Sequence, residues 1–82
     1  MKVIVNDRFD LKHVGPTFSG AWADNPDLKF KMGDEIALIP KAGTVVDVGN
    51  LSRCRISSIS RIGRDKGHFV ISVQPLWNQA NS

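Results

Sequence analysis

The chain contains no tyrosine and a single cysteine, and none of its apolar runs approaches the roughly 20 residues needed to cross a bilayer. Each absence excludes something. With Cys54 alone there is no intrachain disulfide and no structural zinc site built on paired thiolates, so the core must hold by packing. With aromatics at 7% of residues, platforms for stacking nucleic-acid bases are scarce. Phe69 reads as buried, which leaves Phe18, Trp22 and Trp77. The opening MKVIVNDRFD lacks both the basic start and the long apolar stretch of a secretory signal, and the chain reads as cytoplasmic. Internal repeats, low-complexity tracts and heptads are also missing.

What remains is the composition of a small folded domain. Of 82 residues, 41% are hydrophobic and 23% charged, which fits neither wholesale disorder nor a membrane protein. A chain of this length supports one core. The expected organisation is a single domain over 1–77 and a loose tail over 78–82. The net charge is +3 and unevenly distributed: residues 1–48 carry six Lys/Arg against seven Asp/Glu, and residues 49–82 five against one. Positive charge gathered in this way attracts nucleic acid or acidic protein surfaces, although +3 is also an ordinary solubility setting.

The periodicity is that of strands. Lys2 to Val5 is a short β-prone run stopped at Asn6-Asp7, and Phe9 to Val14 alternates until Gly15-Pro16, so the two are expected to pair as a hairpin. Thr17 to Trp22 reads as a third strand or an irregular crossing. Asp24-Asn25-Pro26-Asp27 carries helix-start vocabulary, but Gly33-Asp34 follows too soon for more than a short helical turn. Glu35 to Ile39 predicts a strand ending at Pro40. Thr44 to Val48 predicts another, with Val46 and Val48 on one face and Val45 and Asp47 on the other. From Arg53 the alternation puts Cys54 and Ile56 inside and Arg53 and Arg55 outside, and Ile59 then falls out of phase, as a β-bulge at Ser57-Ser58 would cause. A glycine-rich hairpin loop over 63–67 leads to Phe69, Ile71 and Val73, spaced by two. The fold class is therefore mainly β: a five- or six-stranded bent sheet or partly open barrel with one short helical turn.

Candidate chemistry is sparse. His13, Cys54 and His68 match no compact metal-ligand spacing, and no nucleophile-bearing turn accompanies them, so the chain reads as non-enzymatic and free of cofactors. Asp24, Asp27, Asp34 and Glu35 sit in turn contexts without calcium-loop spacing. Gly63 and Gly67 bracket a basic loop, but a phosphate loop would end in Gly-Lys-Ser/Thr and open a helix. The strongest signal is basic: Arg53 and Arg55 share a strand face, and Arg61, Arg64 and Lys66 surround the next hairpin. A curved sheet would gather them into one phosphate-binding edge, with Ser57, Ser58 and Ser60 as neutral donors. The alternative is a solvated outer face.

FKMGDEIALIP, followed by the CRISSI and GHFVISV strands, resembles the closing half of PUA-like and ASCH-type small barrels, where a Gly-Asp turn launches a strand and a hairpin completes the sheet. The likeness covers residues 30–73. The first half lacks the helical segment and basic motif of those domains. The resemblance implies binding of RNA or modified nucleotides, with Arg53, Arg55 and Arg64 as contacts, and supplies no catalytic residue. The leading expectation is a binding module for nucleic acid, RNA rather than DNA, or for a nucleic-acid-handling complex. The alternative is a small protein-interaction module, such as a phage- or plasmid-type inhibitor or assembly protein. It would dock through edge strands and apolar residues such as Trp22, Val45 and Trp77. A third reading is self-assembly through the same edges.

Overall fold

The computed structural model describes residues 1–60 and 67–76. In chain order the strands are β1 (Lys2–Val5), β2 (Asp7–Leu11), β3 (Gly15–Ala21), β4 (Glu35–Pro40), β5 (Arg53–Ser60) and β6 (His68–Pro75). They form one six-stranded sheet in the order β1-β4-β5-β6-β3-β2. The only helical elements among the described residues are 3₁₀ turns at Trp22–Asp24 and Gly49–Leu51. The protein is mainly β, as expected, and the sheet is bent without closing into a barrel.

Consecutive alternation decides which side faces inward. Val3 and Val5, Phe18, Ile36 and Leu38, Cys54 and Ile56, and Phe69, Ile71 and Val73 project to one side and are buried together with Leu51. The aromatic rings finish one end of this core: Trp22 stacks on Phe30 with centroids 5.6 Å apart, and both lean on Phe69 at 4.9 and 5.3 Å. The phase break anticipated in β5 is present, as a register shift between Ile56 and Ser58 against β6. Cys54 and Ile56 are buried, and Arg53 and Arg55 are exposed.

Three sequence expectations are corrected. β1 and β2 do not form a hairpin. β1 runs parallel to β4, with Val3 opposite Leu38, and β2 pairs antiparallel with β3. Only Asn6 separates β1 from β2, too few residues for a chain reversal, and its N–H donates to Ser19 O at 2.9 Å. The chain runs on through Asn6 from one edge of the sheet to the other. Residues 44–48 do alternate in exposure, with Val45 fully exposed and Val46 and Val48 packed on the core, but they form no strand. Both edges of β4, the strand that precedes them in the chain, are already taken by β1 and β5, so they cannot pair back onto it. The helical turn sits at Trp22–Asp24, just before the predicted Asp24-Asn25-Pro26-Asp27, because Asn25 is diverted to another use.

That use follows from the topology. In a parallel pair, alternate residues direct their backbone groups to the neighbour. Met1 and Val5 carbonyls accept from Ala37 and Lys41 of the β4 side, so Ile4 points its N–H and C=O the other way, toward β3. No ladder reaches it there. The buried Asn25 carboxamide fills the gap: Oδ1 accepts from Ile4 N at 2.8 Å, and Nδ2 donates to Ile4 O at 3.1 Å and Ala21 O at 2.9 Å. A side-chain amide thus substitutes for a missing strand and holds β1 to the end of β3.

Candidate interaction surface

Arg53 and Arg55 project from β5 on the solvent side, as their alternation requires. Both are engaged within the protein. Arg53 Nη2 donates to Glu35 Oε2 at 2.6 Å, and Arg55 Nη1 donates to Gly33 O at 2.8 Å. Arg61, Arg64, Lys66 and Trp77, the remaining candidates, lie outside the described residues. Of the aromatic candidates, Phe18 is fully buried, and Trp22 is partly buried, with one face stacked on Phe30 and its ring tilted against Phe69. A base could not stack on Phe18 without opening the core.

Asp24 and Asp27 border an open cleft of about 510 Å³ beside β1, floored by Ile4, Leu28 and Ile39. Lys41 Nζ lies 3.1 Å from Asp24 Oδ2 as an ion pair, though not aligned as a hydrogen bond. Two further members of the acidic set are engaged: Asp34 accepts from Lys31 N–H at 2.9 Å, and Glu35 holds Arg53. Among the described residues no group of three or more His, Cys, Asp or Glu converges as a metal site would. Cys54 is fully buried, and desolvation pushes its thiol up to about 11, so the nucleophilic thiolate is scarce at neutral pH.

The feature that sequence reading missed is the β2–β3 hairpin. β2 ends the sheet, and Phe9, Leu11 and Val14 expose 43%, 47% and 46% of their surface. These are three large apolar side chains within six positions. Phe9 and Leu11, two apart on a strand, lie on the same outer face. The inner face of β2 is polar: Arg8 lies over the Phe18 ring at 5.5 Å, donates to Asp47 O at 2.7 Å and pairs with Asp10 at 3.0 Å. Alternation was visible in Phe9-Asp10-Leu11, but a pattern of period two does not say which side is core. The usable signal was Arg8 and Asp10. Sharing a face two residues apart, they form a complementary pair that needs no apolar surroundings.

The backbone of β2 shows which of its groups face out. Asp10 lies opposite Pro16, which has no N–H, so this is a non-hydrogen-bonded position of the antiparallel ladder. Asp7, Phe9 and Leu11 therefore bond to β3, and Arg8 and Asp10 turn their N–H and C=O outward. Consistent with this, Arg8 N–H finds no strand partner and donates to the Asp7 carboxylate at 2.8 Å. Among the described residues no strand pairs with this outer edge of β2, which is flanked by an apolar face. No family model, curated protein or solved structure matches this chain.

Proposed function

We propose that the protein is a protein-interaction module that works through the β2–β3 hairpin. The observation that carries this reading is the coincidence, on five consecutive residues, of an outward-facing backbone edge and the exposed side chains of Phe9 and Leu11. Main-chain pairing supplies affinity when a partner adds a strand, and the flanking side chains supply specificity. Val45, fully exposed in the 41–48 connection, is a further apolar contact of the kind expected. The competing reading, phosphate binding through Arg53 and Arg55, has less support from the geometry because both guanidiniums already hold protein acceptors.

The test is capture by the immobilised chain from nuclease-treated and untreated lysate, with untagged copies of the chain included. Alongside it run Phe9→Asp/Leu11→Asp and Arg53→Glu/Arg55→Glu variants. A protein retained in stoichiometric amount after nuclease, lost with the hairpin variant and kept with the arginine variant, is the expected result. Nucleic acid retained by the hairpin variant and lost by the arginine variant would replace this reading with the basic-edge one.

A further inference from the structure

Resting on the interaction reading, we propose that the partner of the β2 edge is a second copy of the same chain, paired antiparallel about a two-fold axis through Phe9. The register follows from backbone direction and charge. Only Arg8 and Asp10 offer outward groups, so a neighbouring β2 must place its own Arg8 or Asp10 against at least one of them. Three symmetric registers satisfy this. Centred on Arg8, the pairing sets Arg8 against Arg8. Centred on Asp10, it sets Asp10 against Asp10 and Arg8 against Lys12. Centred on Phe9, each Arg8 faces the partner's Asp10, and each Asp10 faces the partner's Arg8. Like charges directly opposite are destabilising and unlike charges favourable, so one register of the three survives.

The other face of β2 agrees with that choice. Phe9 meets its symmetry mate at a non-hydrogen-bonded position, where facing side chains come closest, and Leu11 lies diagonal to the partner's Phe9. Four exposed apolar side chains, two from each copy, cover one another on the face where the isolated chain leaves Phe9 and Leu11 in water. Arg8 and Asp10 already form an ion pair within one copy at 3.0 Å, so the dimer has a four-charge cluster on the inner side. The Asp7 carboxylate, now holding Arg8 N–H, must swing away to admit the partner's carbonyl. Five residues a side is a small contact, so the association is reversible and concentration-dependent.

Sedimentation equilibrium across micromolar to millimolar concentrations tests this. The wild type is expected to dimerise, Asp10→Arg to associate about tenfold more weakly or worse, and Arg8→Asp/Asp10→Arg to recover the wild-type constant, since it restores both cross-pairs. Asp10 is exposed, so its replacement leaves the core untouched. In case the double variant does not fold, a second readout fixes the register. Phe9→Cys should cross-link to a symmetric disulfide dimer in a glutathione buffer, and Leu11→Cys, which faces the partner's Asp7, should not. A monomer at every concentration, or a dimer unchanged by Asp10→Arg, overturns the proposal. If the wild type stays monomeric but still loses a captured protein on Phe9→Asp/Leu11→Asp, self-pairing fails and the interaction module stands.

Discussion

The Asn25 carboxamide completes the backbone of Ile4: its Oδ1 accepts from the Ile4 N–H at 2.8 Å and its Nδ2 donates to the Ile4 carbonyl at 3.1 Å. The sheet needs this because its two edge strands are consecutive in the chain. They part at Asn6, and among the described residues β1 has no strand on its outer side to satisfy it.

Asn25→Ala should therefore destabilise the protein by about 1–3 kcal/mol, since it leaves a backbone N–H and two carbonyls short of partners at a partly buried seam. Asn25→Asp should do no better at neutral pH: one oxygen still accepts from Ile4, but the other confronts two carbonyl oxygens. Urea unfolding of the three proteins checks both statements.

The neighbouring close approach makes a second prediction. A Cβ added at Gly20 would lie 2.5 Å from Phe69 Cζ and 2.6 Å from Ile4 O. One of those atoms belongs to backbone held by Asn25 and the other to a ring packed between Trp22 and Phe30. Gly20→Ala should lower stability by about 1–3 kcal/mol or more, measured by thermal melting, whereas overpacking is absent at the open Gly43.

Thr17 and Ser72 face each other across β3 and β6, both buried, with hydroxyl oxygens 2.9 Å apart. Ser72→Ala should cost about 1 kcal/mol. The double variant Thr17→Val/Ser72→Ala should cost less than the sum of the two single changes, because Thr17→Val alone strands the Ser72 hydroxyl and the double change does not, whereas Thr17 in Ser72→Ala still donates to Gly15 O at 3.1 Å. A double-mutant cycle in urea reads the coupling.

Cys54 gives a pH dependence with a definite sign. Burial raises its folded pKa from 9.0 to about 11, so the unfolded chain loses the thiol proton first. The stability that comes from keeping the thiol neutral is fully present below pH 9 and is lost as pH rises toward 11. Stability should fall across that window in the wild type and fall less steeply in Cys54→Val. Denaturant titrations at pH 8, 9 and 10.5 compare them.

Much of the second half of the fold was legible in the sequence. Strands β4, β5 and β6 follow from alternation bounded by Gly and Pro, and the bulge followed from Ile59 falling out of phase. Pairing was less legible because alternation fixes a face and not a neighbour. Thr44 to Val48 has the pattern of a strand and the predicted inward face, yet β4 had already given its edges to β1 and β5. Asn25 looked like helix-cap vocabulary because the same carboxamide that caps a helix can serve a strand, and nothing local distinguishes the two. For the candidate surface, Arg53 and Arg55 were placed outward by sequence, but Glu35 and Gly33, which engage them, come near only through the β4–β5 pairing. Phe9 and Leu11 were legible only as the apolar half of an alternating run, and it is the position of β2 at the end of the sheet that exposes them.

The open edge of β2 is tested most directly by residue-resolved amide exchange at low and high protein concentration. Phe9 N–H, bonded into β3, should exchange slowly in both. Asp10 N–H should exchange quickly when dilute and become protected when concentrated. An Asp10 amide already slow at low concentration would contradict the open edge itself, and one that stays fast at every concentration would contradict pairing with a second copy.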